Sequence, residues 1–115
     1  MNEIFEINET EHGGVPVVAV TGEIDVATAP QLRDRLLAQT AAGKSTIIVD
    51  LLGVTFLDST ALGVMVGGLK RCRESGGDLR LLIVEPRILK VFEITGLTDV
   101  FSISASLDDT NGATR

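Results

Sequence analysis

Three aliphatic runs, VPVVAV (15–20), STIIVDLL (45–52) and LRLLIV (79–84), are separated by segments of helical periodicity, and this alternation constrains the chain more than any other feature. Runs of that length, rich in Val, Ile and Leu and bounded by Gly, Pro, Ser or Thr, read as strands. A strand, a helix and a further strand in series imply a right-handed crossover joining parallel strands of one sheet. STIIVDLL is apolar at consecutive positions, so it is expected to be buried on both faces, as a central parallel strand is.

The remaining elements follow from local signals. Residues 3–8 alternate, with Phe5 and Ile7 on one face and acidic groups opposite, which predicts an edge strand. His12-Gly13-Gly14 supplies a turn and makes 15–20 the second arm of a hairpin, with Pro16 near the strand start, where its missing N–H does little harm. GEIDVAT (22–28) reads as a loop ending at Thr28, which is placed to cap a helix with Pro30 in its first turn. Ala29, Leu32, Leu36 and Thr40 then recur at helical spacing, and Gly43 ends the helix. A second helix follows LLGVTFLDST, with Leu62, Met65, Leu69 and Cys72 as its core stripe, and stops at Gly76-Gly77. Pro86 opens a third helix that turns Leu89 and Phe92 inward and ends at Gly96. FSIS (101–104) is a short last strand, and DDTNGATR is polar and expected to fray. The expected order is β-β-α-β-α-β-α-β: a single α/β domain over 1–108, a mostly parallel sheet with one antiparallel edge, and a disordered tail over 109–115.

Composition narrows the function. A chain of 115 residues that is 44% hydrophobic fits one domain with a real core. Four Phe with no Trp or Tyr make that core aliphatic and leave no platform for stacking single-stranded bases. The net charge of −6 repels a phosphate backbone, so no direct nucleic-acid binding is expected and a basic protein partner is the more natural one. The lone Cys72 cannot form an intramolecular disulfide and suits a reducing compartment. MNEIFEINET lacks the basic-then-apolar order of a secretory signal, and the apolar runs are too short to span a bilayer, so a cytoplasmic protein without a membrane role is expected.

Several chemical motifs fail on context. AAGKST resembles the end of a phosphate-binding loop, but such a loop needs a Gly where Ala38 stands, a strand before it and a helix after it; here the order is reversed. Cys72 lies on an apolar helix stripe and reads as core. His12 has no second His or Cys near it for a metal, and it sits in an edge hairpin, poorly placed to serve Ser59 in a Ser–His–Asp arrangement. No pair of carboxylates is set for acid–base work. An enzyme is therefore not expected, nor a cofactor.

The informative segment is FLDSTALGVMVGGLK (56–70). Capping of a helix start by Asp58 or Ser59 explains one polar residue there. It does not explain Gly63, Gly67 and Gly68, each of which costs a helix about 1 kcal/mol against Ala. Projected at about 100° per residue, Gly63 and Gly67 fall away from the Leu62–Leu69 stripe, beside Lys70 and Glu74, and Val64 is also off it. A flat, partly apolar surface next to a helix N-terminus suits docking of another protein; close packing against a neighbouring helix is the alternative. Ser59 at that helix start is a sensible switch: phosphorylation adds about −1.5 to −2 charges, which the helix end tolerates and a partner arranged for a neutral hydroxyl does not.

The chain resembles the STAS family, specifically the stand-alone bacterial anti-sigma factor antagonists. The resemblance spans roughly residues 4–107 and rests on VVAVTGEIDVATAPQLRDRL, IIVDLLGVTFLDSTALGVMV and the GGDLRLLIV…ILKVFEITGLTDVF tail. It implies a four- to five-stranded mixed sheet with helices packed mainly on one side. It implies that Ser59 is phosphorylated by an anti-sigma factor that is itself a serine kinase, that the unphosphorylated form sequesters this kinase and frees the sigma factor, and that a PP2C-type phosphatase resets the switch. The loop Glu23 to Thr28, with Asp25 as its acid, is implied to lie beside the phosphosite, and Asp58, Thr60, Gly63, Val64 and Gly67 complete the expected partner surface. Family members often read Asp-Ser-Ser-Gly or Asp-Ser-Thr-Gly; here Thr60 and Ala61 follow Ser59, so Thr60 is an alternative phosphosite. The family's closing helix looks shortened after Leu107. A nucleotide- or lipid-sensing module and a transport-associated subunit are the other functions the family suggests. The protein is expected to be monomeric.

Overall fold

Gly13 and Gly14, both at positive φ (60° and 82°), turn the chain between β1 (Glu6–His12) and β2 (Val15–Ile24), which pair antiparallel with His12 opposite Val15. The computed structural model describes residues 5–108; the first part of the edge strand expected from residue 3 and the tail expected over 109–115 lie outside them. The chain continues through α1 (Ala29–Ala41), β3 (Ile47–Leu57), α2 (Ser59–Glu74), β4 (Leu79–Leu82), α3 (Pro86–Ile94), a short 3₁₀ turn (Leu97–Asp99) and β5 (Ser102–Ser104). The sheet order is β1-β2-β3-β4-β5, with every pair after the first parallel. β3 is the central strand, as its composition requires.

All three helices cover one face. Leu32 and Leu36 of α1, Leu62, Met65, Leu69 and Cys72 of α2, and Ile88 and Phe92 of α3 join Val18, Val20, Ile47, Val49 and Leu81 in one core. The expected stripe of α2 is buried throughout. In α3 the fully buried pair is Ile88 and Phe92, one helical turn apart; Leu89 is half-buried and packs against the same core, so it turns inward as expected, and Ile88 is the inward residue the sequence reading did not name. Phe92 meets Phe101 edge to face, centroids 5.9 Å apart, and this closes the far end of the core. On the opposite face Val17, Ile48 and Leu82 form a small cluster packed by Val15 and Leu107.

β2 and β3 are longer than their composition suggested. The expected loop 22–28 is a loop only from Asp25, because β2 continues to Ile24. Residues 17–24 of β2 lie opposite residues 48–57 of β3, with pairing shifts between Ala19 and Thr21 and between Gly22 and Glu23. These bulges place two additional residues on β3 and keep Leu51, Val54 and Leu57 buried despite their three-residue spacing. Burial on both faces therefore ends before Leu52, which is 42% exposed.

Gly68 marks the close approach of α1 and α2. A Cβ there would lie 2.9 Å from Leu79 Cδ1 and 3.1 Å from Leu36 Cδ1. Gly43, at φ 91°, follows α1 and leads toward β3, the helix-then-strand order that excludes a phosphate-binding loop at AAGKST. Among the described residues no helix is long and apolar enough to cross a membrane.

Candidate functional site

β2 and β3 run parallel and end together, with Ile24 opposite Leu57, so the two segments that follow them emerge side by side at the C-terminal end of the sheet. The Asp58 N–H donates to the Ile24 carbonyl (3.2 Å) and stitches the start of one to the start of the other. The structure thus brings the Glu23–Thr28 segment and the Asp58-Ser59-Thr60 segment together. Ligand sites in open α/β sheets form at this end because the loops there converge from neighbouring strands.

The first loop is closed on itself. Asp25 Oδ1 accepts the N–H groups of Ala27 (3.0 Å) and Thr28 (3.1 Å), while the Asp25 carbonyl accepts those of Thr28 (3.1 Å) and Ala29 (2.7 Å). Thr28 Oγ1 donates to the Glu23 carbonyl (2.8 Å) and accepts the Asp25 N–H (2.9 Å). Thr28 occupies the N-cap position of α1 without capping it by its side chain, contrary to expectation; its hydroxyl reaches backward and locks the loop. Asp25 likewise has a local role as the acceptor of this turn. Val26 at the loop tip is 72% exposed.

The second junction is open. Asp58 is the N-cap of α2, and its Oδ1 accepts the Ala61 N–H (3.1 Å) while its carbonyl accepts that of Leu62 (3.1 Å). This leaves the N–H groups of Ser59 and Thr60 at the open end of the helix. Ser59 is the first helical residue and is exposed, as is Thr60, and neither hydroxyl bonds to another described residue. Capping by Asp58 is what leaves Ser59 uncommitted.

Along α2 the three glycines separate. Among the described residues a Cβ at Gly63 would meet nothing within 4 Å, and one at Gly67 only Arg71 Nη1 at 3.6 Å, whereas one at Gly68 would press on the side-chain ends of Leu79 and Leu36 in the core. Gly63 and Gly67 therefore lie on the outward side, as projected. Val64 does not: it is half-buried and packs against the core. Glu23, Asp25 and Asp58 surround the junction, and no Lys or Arg occurs before Arg33 or between Lys44 and Lys70.

Nucleophilic catalysis has no support here. His12 lies opposite Val15, at the far end of β2 from Ile24, about 30 Å away at roughly 3.3 Å per residue. Among the described residues no three His, Cys, Asp or Glu cluster to hold a metal. Cys72 is buried in the core, and its thiol pKa is raised, chiefly by burial and then by Asp78, with Arg71 opposing. The sequence reading missed Val26 and Phe56, the latter 48% exposed and paired with Glu23. Phe56 read only as part of an apolar exit from the strand; the bulge that turns it outward breaks the alternation that would have revealed it.

A mixed sheet with its helices on one face, presenting an uncommitted serine where two strand ends meet, defines an α/β module that offers a surface hydroxyl with His12 at the far end of β2. The chain belongs to the STAS domain family, which it matches over residues 6–110. It is 42% identical over 88 residues to the anti-sigma-B factor antagonist of Bacillus subtilis, covering 76% of this chain and 80% of that protein. It is 36% identical over 112 residues to the anti-sigma-B factor antagonist of Listeria monocytogenes, covering 97% of each. The crystal structure of an anti-sigma factor antagonist from Mycobacterium paratuberculosis superposes with a TM-score of 0.87 at 30% identity, covering 96% of this chain and 93% of that one.

Proposed function

We propose that this chain is an anti-sigma factor antagonist that acts by binding, as a monomer in the cytoplasm. In its unphosphorylated form it sequesters an anti-sigma factor that is a serine kinase and so releases the sigma factor. Phosphorylation of Ser59 ends that interaction, and a PP2C-type phosphatase restores it. The relatives named above support the antagonist role.

The observation that carries the switch is the state of Ser59: exposed, at the first position of α2, with its hydroxyl uncommitted because Asp58 performs the capping. A phosphate there would meet the open N–H groups of the helix, so the domain stays folded while its surface gains charge. Gly63 and Gly67 support docking on the same helix. Each weakens the helix, and neither is demanded by a neighbour among the described residues.

The test is binding to the purified anti-sigma factor. Ser59→Ala should bind like the unphosphorylated protein. Ser59→Asp should lose about a hundredfold, because an unpaired charge at an interface costs several kcal/mol and each 1.4 kcal/mol is tenfold. Equal affinity of the three proteins, each folded by circular dichroism, removes Ser59 as the switch, and Thr60 is then tested by the same substitutions.

A further inference from the structure

Among the described residues, the outer face of the sheet, opposite the helices, is covered at one end and exposed at the other. Val17, Ile48 and Leu82 are buried there with Val15 and Leu107. Toward the strand C-termini Phe56 is 48% exposed beside its partner Glu23, and Leu52 and Val84, each two positions beyond the paired residues Asp50 and Leu82, are 42% and 55% exposed. Among the described residues, three of the six exposed large apolar side chains thus lie toward the end of the sheet that carries Ser59. The β3 bulges place Phe56 there, and Asp50 holds the bulge by accepting the Leu52 N–H on its carboxylate (2.9 Å).

The charge around this strip is acidic apart from Arg87 and Arg80, the latter beside Ile48 at the covered end of the same face and paired with Asp78 (3.9 Å). Glu23 stands opposite Phe56, Asp50 precedes Leu52 and Glu85 follows Val84. Arg87 is paired with Glu85 (3.2 Å). A second copy of the chain would bring acidic rim against acidic rim, which the net charge of −6 makes worse. An apolar surface edged with Lys or Arg is complementary.

We propose that the anti-sigma partner does not stop at α2. Its footprint passes over the strand ends onto the outer sheet face, where an apolar surface with a basic edge covers Phe56, Leu52 and Val84. This rests on the antagonist reading of the Ser59 site. Phe56 is three residues before Ser59 and stands opposite Glu23, and the next residue, Ile24, accepts the Asp58 N–H at the junction, so the two surfaces are continuous.

The experiment measures binding of the purified anti-sigma factor to Phe56→Ser, Leu52→Ser and Glu23→Gln, with Ser59→Asp and the α1 surface variant Leu37→Ser as controls. Phe56→Ser should weaken binding tenfold or more and Leu52→Ser several-fold, with unfolding midpoints near the wild type. Glu23→Gln should slow association and flatten its dependence on salt. Leu37→Ser should bind like the wild type. If Phe56→Ser and Leu52→Ser bind normally while Ser59→Asp does not, the footprint ends at the junction and the proposal fails with the antagonist reading intact. If the wild-type protein does not bind the anti-sigma factor at all, the antagonist reading fails and the proposal with it. A dimer in sedimentation that Phe56→Ser abolishes assigns the face to self-association and overturns the proposal.

Discussion

The β2–α1 and β3–α2 junctions lie side by side and use their polar groups in opposite ways. In the first, the Asp25 carboxylate, the Asp25 carbonyl and the Thr28 hydroxyl all bond within the segment. In the second, Asp58 alone satisfies the helix start, and the two hydroxyls after it bond to nothing in the described chain. One junction is a fixed wall and the other presents hydroxyls that hold none of the described structure. A hydroxyl already used for structure could be phosphorylated only by breaking the structure it holds; Ser59 carries no such burden.

Stability measurements can break this contrast. The largest loss is expected at the closed loop. Asp25→Ala removes the acceptor of two backbone N–H groups and Thr28→Val removes a hydroxyl that makes two bonds to the backbone, so each should cost about 2 kcal/mol at roughly 1 kcal/mol net per hydrogen bond. Urea midpoints at constant m report both. If neither variant moves the midpoint, the loop is not locked by these bonds.

Asp58→Ala should follow at about 1 kcal/mol, the usual value of an N-cap side chain. Ser59→Ala should be smallest, within about 0.5 kcal/mol, as for a surface side chain without partners. Equal losses for Asp58→Ala and Ser59→Ala would show that the serine hydroxyl helps hold the helix and would erase the difference between the junctions.

Much of this frame was legible in the sequence. The three aliphatic runs and the helical stripes between them carry strong periodicity, so the element order and the parallel sheet followed. The ends of β2 and β3 did not, because Leu51, Val54 and Leu57 recur at threes through two bulges, a spacing that does not read as a strand. The junction residues were recognisable, but their division of labour was not. Asp58 and Ser59 are both good caps, and only the fold shows that Asp58 takes the bond. Projection separated Gly63 and Gly67 from the core stripe. It could not identify the close contacts at Gly68, which come from Leu36 and Leu79 on other elements, or turn Val64 toward the core.

The most direct test of the central claim uses the natural modification. The protein is incubated with its purified anti-sigma factor and ATP, the phosphate is mapped, and the affinity of the phosphorylated and unphosphorylated forms for the anti-sigma factor is measured by calorimetry. The account predicts a single phosphate on Ser59, an unchanged circular dichroism spectrum and a loss of affinity of about a hundredfold or more. Phosphate on Ser59 with undiminished affinity, or no phosphate on Ser59 at all, would contradict it.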